Sequence, residues 1–145
     1  MILLDVNILL YATNNTVSQH AAASEWLDRT LSDVHRVGMP WATLLGFLRL
    51  ATSARVATHP LTMNVAWRLV SQWRDIDSVW IPTPTERHAE MLGSLLAEPG
   101  VYGNLVSDAH RAALAIEHGL TLCSTDGDFA RFRRLKWLNP LAHDA

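Results

Sequence analysis

Short apolar runs, each long enough for one strand, alternate along this chain with segments that have helical spacing. The runs that predict buried strands are Ile2–Leu4, Val37–Met39, Val79–Ile81 and Leu120–Cys123, with Leu135–Leu138 as a candidate fifth. Short apolar strands that alternate with helices are typical of an α/β domain. We therefore predict a mostly parallel sheet of four to five short strands.

Periodic apolar residues predict four helices between these runs: Ser18 to about Leu31, Pro40–Leu50, Thr62–Arg74 and Asn104–His118. A fifth helix is predicted by a capping box, in which Thr83 is the N-cap, Pro84 is the first helical residue and Glu86 completes the box. That helix should end at Glu98-Pro99-Gly100.

The length of 145 residues, without an internal repeat or linker, predicts a single domain over residues 1–145. Hydrophobic residues make up 49% and charged residues 18% of the chain, which excludes a disordered protein. The single cysteine, Cys123, excludes an internal disulfide and a cysteine-based zinc site. Because no apolar run approaches the roughly 20 residues of a membrane span, and Asp5 interrupts the first one, we expect a cytoplasmic protein without a secretory signal.

The formal net charge of −2 does not indicate a broad nucleic-acid-binding surface. One dense basic patch is formed by Arg131, Arg133, Arg134 and Lys136. It is either an ordinary solvated face or a local nucleic-acid contact, and the sequence favours the solvated face. On the predicted helix Thr62–Arg74, an apolar stripe is formed by Met63, Trp67, Val70 and Trp73. This stripe is equally consistent with core packing and with a docking surface for a partner.

Two aspartates follow predicted strands. Asp5 comes directly after the first strand, and Asp126 follows the fourth through Ser124-Thr125. Each alone is an ordinary turn residue. Because ligands of open α/β sheets bind beyond the carboxyl ends of the strands, the two together predict a site at that edge.

Asp108 is a third candidate, at the edge of the apolar face of its predicted helix. That face is formed by Leu105, Ala109, Ala112 and Ile116, whereas the polar side is formed by Ser107, His110, Arg111 and His118. A carboxylate that faces inward is costly unless a cation or hydrogen bonds compensate. The alternative is a carboxylate near the helix start that interacts only with the helix dipole.

Carboxylates without histidine or cysteine partners suit a hard cation, Mg²⁺ or Mn²⁺. The seven histidines are scattered, without the spacing of a zinc site. Carboxylate-bound Mg²⁺ commonly serves phosphoryl chemistry, in which it activates water and stabilises charge on the phosphate.

Three segments resemble the motifs of PIN-domain nucleases. Leu3–Ala12 is similar to the first motif, Asn104–His110 to the third acidic motif, and Leu122–Phe129 to the last. Their order and spacing agree with the family from residue 2 to about residue 138. Trp41, followed by Gly46–Thr52, resembles a branch of VapC toxins.

The resemblance implies a three-layer α/β/α PIN-like fold and a cytosolic, Mg²⁺-dependent endoribonuclease that is the toxin of a toxin–antitoxin pair. It also implies an RNA substrate, a homodimer and a small inhibitory antitoxin. The metal would be held by Asp5 and Asp108, supported by Asp126, while Asn7 and Thr125 would orient ligands or bound water. Asp128, two residues after Asp126, would add negative charge near the metal. Asp128 would alternatively cap the turn before Phe129.

One departure from the family is Gly46, which stands where most PIN nucleases carry a Glu early in the second helix. The missing carboxylate puts metal affinity and metal number in question, and predicts that Asp126 carries more of the metal binding. A glutamate introduced at position 46 should tighten Mg²⁺ binding if the pocket has room.

Two other functions are consistent with the residues. The first is a non-catalytic PIN scaffold that binds RNA or protein, which Gly46 favours and the three aspartates oppose. The second is a phosphoaspartate phosphatase or receiver in which Asp5 is the nucleophile. Such sites usually need a lysine near the phosphoryl group, and the sole lysine, Lys136, lies in the basic patch.

Overall fold

The computed structural model describes residues 1–33 and 36–142. Within these residues five strands alternate with six α-helices. In chain order they are β1 (Ile2–Leu4), α1 (Val6–Thr13), α2 (His20–Asp33), β2 (Val37–Gly38), α3 (Trp41–Ala51), α4 (Met63–Arg74), β3 (Val79–Trp80), α5 (His88–Leu96), α6 (Leu105–His118), β4 (Thr121–Cys123) and β5 (Trp137–Leu138). A short 3-10 helix, Gly127–Arg131, lies between the last two strands.

The five strands form one parallel sheet in the order β3-β2-β1-β4-β5. From β1 the chain builds the sheet outward through β2 and β3, and then returns to add β4 on the other side of β1. The direction of winding therefore reverses between β1 and β4. In sheets of this type, the crevice at such a reversal is where ligands bind.

Alternate side chains of β1 and β4 enter two different cores. Leu3 and its register partner Leu122 face helices α5 and α6, where alanines of α6 pack tightly. Leu4 and its partner Cys123 face the core built with α1 to α4. The result is the predicted three-layer α/β/α arrangement. Burial also raises the pKa of the Cys123 thiol to about 12, so this residue is an inert part of the core.

Helix α1 was not expected from the sequence. The segment Val6–Ala12 is apolar at nearly every position, so it has no helical periodicity to distinguish it from a strand. Its helical form is stabilised by packing: α1 contacts α2 and α3, and Val6, Ile8 and Leu9 are buried.

The predicted capping box is wrong, because α5 begins at His88 rather than after Thr83. Thr85 donates hydrogen bonds from its backbone amide and its hydroxyl to Glu117 on α6, at 3.0 and 2.6 Å. The carbonyl of Thr83 accepts a hydrogen bond from His118. These tertiary contacts hold the segment outside the helix and override its local capping pattern.

The apolar stripe on α4 is divided between the core and the surface. Val70 and Trp73 are buried, and the Trp73 ring packs edge-on against Phe47 with 4.9 Å between ring centroids. Met63 and Trp67 are exposed, at 56% and 45%. Half of the stripe is therefore core, and only Met63 and Trp67 remain available to a partner. No helix in the described residues combines the length and hydropathy that crossing a membrane requires.

Candidate active site at the carboxyl edge of the sheet

Asp5 lies where the sheet reverses its winding. Its backbone amide donates a hydrogen bond to Cys123, at the end of the neighbouring strand β4. Asp5 precedes helix α1 but its side chain does not cap that helix. Instead, its carboxylate accepts a hydrogen bond from the hydroxyl of Ser124, with 2.8 Å between Oγ and Oδ2. The carboxylate is thus oriented across the β1–β4 junction.

Ser124 is the residue that organises this edge of the site. Its fully buried hydroxyl donates to Asp5 and also accepts hydrogen bonds from the Asn7 side chain (3.2 Å) and the Asp126 backbone amide (3.0 Å). Thr125, which the family resemblance favoured, contributes a backbone amide that donates to Asn7 at 3.5 Å. The position of Ser124 directly after β4, opposite Asp5, was the sequence signal that could have identified it.

Asp108 reaches the same region from the first turn of α6. Its side chain is only 16% exposed. Burial raises its pKa to about 6, and although Arg111 opposes this shift, the charges of Asp5, Asp126 and Asp128 add to it. Burial and the nearby carboxylates therefore make ionisation of Asp108 harder than that of an exposed aspartate.

Arg111 was placed on the solvated side of α6 by the helical wheel, and that placement is wrong. The residue is 9% exposed, because its long side chain folds back into the acidic site. Its Nε lies 3.2 Å from Asp5 Oδ1, and one terminal nitrogen, Nη1, lies 3.6 Å from Asp108 Oδ1. The guanidinium is thus situated between the two aspartates.

Asp126 is the turn residue that its position after a strand suggested, whereas Asp128 does not cap the turn before Phe129. Asp126 is the N-cap of the 3-10 helix, because its Oδ1 accepts a hydrogen bond from the Asp128 amide at 2.9 Å. Asp128 is exposed and lies 3.8 Å from a guanidinium nitrogen of Arg131. The turn before Phe129 is therefore capped by Asp126, which leaves the Asp128 carboxylate directed to the rim.

Part of this site borders an open cleft of about 660 Å³. Its acidic wall is formed by Asp108 and Asp126, and Arg111 also lines it. The opposite wall belongs to α3, with Gly46 and the exposed side chains of Leu45 and Arg49. Arg131 of the basic patch borders the adjoining space together with Asp126 and Asp128.

The sequence profile described as the PIN domain matches residues 2–135 of this chain. The chain belongs to the PIN-domain family. Among curated relatives, Ribonuclease VapC37 of Mycobacterium tuberculosis is 43% identical over 142 residues, which are 98% of this chain and 99% of the relative. Ribonuclease VapC33 of the same organism is 40% identical over 141 residues, with 97% and 99% covered.

Solved structures of similar fold include VapBC2 from Rickettsia felis bound to a promoter DNA fragment, with a TM-score of 0.70 and 19% identity, covering 96% of this chain and 98% of that one. VapBC-1 from nontypeable Haemophilus influenzae has a TM-score of 0.69 and 19% identity, covering 98% and 100%. At this level of identity these structures establish the PIN-domain fold of the present chain.

In this PIN domain, Gly46 is required by the close approach of two helices. A Cβ atom at position 46 would lie 2.7 Å from Cγ2 of Val6, a rigid and buried side chain at the start of α1. Real Cβ atoms do not approach so closely, so any larger residue requires Val6 to move. The glutamate that most PIN nucleases carry at this position therefore cannot be added here without displacing Val6.

The residues that border the site fit a hard divalent cation in their chemistry. Asp5, Asp108 and Asp126 supply only oxygen donors, and burial together with the neighbouring carboxylates raises the pKa of Asp108. In the arrangement described for residues 1–33 and 36–142, no three acidic, histidine or cysteine side chains are close enough to hold one metal ion. The guanidinium of Arg111 lies between two of the three aspartates, so a shared ion requires that side chain to move.

Proposed function

We propose that this PIN domain is an Mg²⁺-dependent endoribonuclease, with Mn²⁺ as a substitute, and that it is the toxin of a toxin–antitoxin pair. The observation that carries the proposal is that Asp5, Asp108 and Asp126 all lie at the switch-point edge of the sheet, where Arg111 links Asp5 to Asp108 and an open cleft borders Asp108 and Asp126. The full-length relationship to proteins named ribonucleases supports the same activity.

In this proposal Asp5, Asp108 and Asp126 hold the cation, which, when bound, activates water for attack on an RNA phosphodiester and stabilises the developing charge. Ser124 fixes the rotamer of Asp5 through its 2.8 Å hydrogen bond, and Asn7 in turn holds the Ser124 hydroxyl. Such supporting hydrogen bonds keep the ligand oxygens in a reactive orientation. With a pKa of about 6, Asp108 is mostly ionised at neutral pH and available as a ligand.

We infer a small antitoxin as the protein partner, because the solved structures of similar fold are named VapBC. On this chain the exposed Leu45 lines the cleft and Trp41 lies one turn before it on α3, so an apolar segment of a partner could cover the site. Met63 and Trp67 on α4 are a second exposed apolar pair, suited to this antitoxin or to a second protomer of a homodimer.

The partner surface can be tested by comparing two tryptophans of α4. Trp67→Ala removes an exposed ring and should weaken dimerisation or antitoxin binding with little change in melting temperature. Trp73→Ala removes a buried ring and should lower the free energy of unfolding by about 3–5 kcal/mol. Sedimentation and pull-down with the antitoxin separate the two partners; unchanged association of Trp67→Ala in both would remove α4 from the interface.

A non-catalytic binding module is the second candidate, and it is favoured by Gly46 and by the guanidinium within the acidic site. A phosphoaspartate enzyme is disfavoured by the position of its only lysine. In the register of the sheet Leu4 pairs with Cys123, and Cys123 pairs with Leu138, so Lys136 lies three residues nearer the amino end of the sheet than Asp5. A lysine that assists a phosphoryl group must lie close to it.

The proposal is tested by RNA cleavage and by growth arrest on expression. Asp5→Asn should abolish both while the circular dichroism spectrum stays unchanged, because a neutral amide is a poor Mg²⁺ ligand. Asp28→Asn, an exposed substitution on α2, is the matched control and should cleave like wild type. Activity should be lost in EDTA, and elemental analysis should find no stoichiometric zinc. Near-wild-type cleavage by folded Asp5→Asn, or full activity in EDTA, would contradict the proposal.

A further inference from the structure

Arg111 is the only basic residue among residues 1–33 and 36–142 that is buried. Its guanidinium lies against Oδ1 of Asp5 and Oδ1 of Asp108, two of the oxygens proposed as metal ligands. Neither Nε nor Nη1 makes a hydrogen bond of acceptable geometry, although both atoms are shielded from solvent. A buried cation is thus aimed at the acidic site and held there by charge attraction without directional bonds.

A guanidinium in this state is costly, because its donors have lost water and found no full replacement. The cost is offset only by the nearby negative charge of Asp5 and Asp108. Arg111 is therefore held more loosely than an arginine in a bidentate pair, in which two parallel hydrogen bonds fix the fork. Its position depends on those two carboxylates remaining free of another cation.

A divalent ion and the Arg111 guanidinium cannot both lie against the same two oxygens. Two positive groups a few ångströms apart repel strongly in a partly dehydrated site. Arg111 also lines the open cleft of about 660 Å³. The side chain of Arg111 consequently has open space next to it.

We propose that Arg111 is an internal counter-cation of this site, which competes with the divalent ion for Asp5 and Asp108 and moves into the cleft when the metal binds. The inference rests on the proposed function in so far as these aspartates are metal ligands. It adds that metal loading displaces a residue of the chain itself, so metal affinity is set by Arg111 as well as by the carboxylates.

The test compares Mn²⁺ and Mg²⁺ binding, measured by calorimetry, in wild type and Arg111→Met. Methionine keeps much of the length of the side chain but removes its charge, so the variant should bind the ion about tenfold more tightly, within the range of supporting residues at metal sites. In EDTA it should melt at a lower temperature than wild type, and it should gain more stability than wild type when Mn²⁺ is added. Arg49→Met is the matched control. It removes the same charge from an exposed residue of the same cleft and should shift metal affinity less than twofold, consistent with the screening of exposed charges.

A second measurement uses the wild-type protein and does not depend on the variant folding. The Nε–H resonance of Arg111, assigned from its absence in Arg111→Lys, should shift as Mg²⁺ is added and saturate at the same concentration as the calorimetric signal. The inference is overturned if Arg111→Met binds the ion no more tightly than wild type, or if Arg49→Met gains as much metal affinity as Arg111→Met. It is also overturned if no metal binds, or if the Arg111 resonance is unchanged at saturating Mg²⁺. Absence of RNA cleavage with the affinity difference intact would instead overturn the proposed function alone.

Discussion

Helix α6 carries two carboxylates with largely inaccessible side chains, and their pKa values are shifted in opposite directions. At Asp108 burial raises the pKa to about 6, and the ion pair with Arg111 reverses only part of that shift. At Glu117 burial also acts to raise the pKa, but hydrogen bonds from Thr85 and His88 outweigh it and the pKa is lowered. The same helix therefore holds one carboxylate that is fully compensated and one that is not.

The difference lies in hydrogen bonding. Glu117 accepts two hydrogen bonds from Thr85 on one oxygen, and its other oxygen lies 2.5 Å from His88 Nδ1. His88 is in turn 3.0 Å from His110. This network fastens α5 and the segment before it to α6. Asp108 has an ion pair at 3.6 Å instead. A satisfied carboxylate stabilises the fold, whereas an unsatisfied one in a cleft is typical of a functional site.

The largest expected effect is the difference in RNA cleavage between variants of Asp108 and of Glu117. Asp108→Asn should lower RNA cleavage at least about 1,000-fold, because a metal ligand contributes several kcal/mol to the transition state. Glu117→Gln should leave cleavage per folded molecule close to wild type. Rates would be measured on one RNA substrate at saturating Mg²⁺. Equal losses in both variants would show that the two carboxylates do not differ in role.

Stability should show the opposite ranking. Glu117→Ala removes the acceptor for Thr85 and His88 and should lower the free energy of unfolding by about 3 kcal/mol, as expected when a buried pair loses one partner. Denaturant unfolding measures this, and Glu25→Ala on the exposed side of α2 is the control, expected to change it by less than about 0.5 kcal/mol. A small effect of Glu117→Ala would mean that α5 is held mainly by its apolar contacts.

The raised pKa of Asp108 predicts a pH dependence of stability in EDTA. A carboxyl whose pKa rises on folding stabilises the protein below its unfolded value of 3.8, and this contribution is lost as the pH rises through the folded value of about 6. Above pH 6 the loss is about 3 kcal/mol. Asp108→Asn should thus be more stable than wild type above pH 6, and the difference should vanish below about pH 4. Parallel curves for the two proteins would contradict the shifted pKa.

The smallest effects concern Asp126 and Asp128. Because Asn is as good an N-cap as Asp, Asp126→Asn keeps the 3-10 helix and tests charge alone. Because Gly46 stands in place of the usual Glu, we expect Asp126→Asn to weaken Mg²⁺ binding and RNA cleavage by about 10–100-fold. Asp128→Asn, at an exposed position, should reduce Mg²⁺ binding and RNA cleavage clearly less than Asp126→Asn does. If Asp126→Asn binds Mg²⁺ and cleaves RNA like wild type, Asp126 is not part of the metal site.

Much of the fold could be predicted because it depends on local patterns. The apolar runs identified all five strands to within two residues, and the Gly119 that ends α6 lies in the left-handed conformation that favours glycine. The aspartates were identified for a similar reason: Asp5 and Asp126 follow strands, and parallel strands end at one edge of the sheet. The family motifs then joined Asp108 to them.

What only the tertiary structure decided is how polar side chains are partnered. Arg111 and Glu117 both belong to polar positions of α6 in sequence, yet one neutralises aspartates and the other anchors Thr85. Gly46 likewise has no local turn to explain it; its reason is Val6, which is 40 residues earlier in the chain and lies against it in space. Helical periodicity reports which side of a helix a residue occupies. The direction and length of a flexible side chain, and the atoms that meet it, are set by the packing of distant segments.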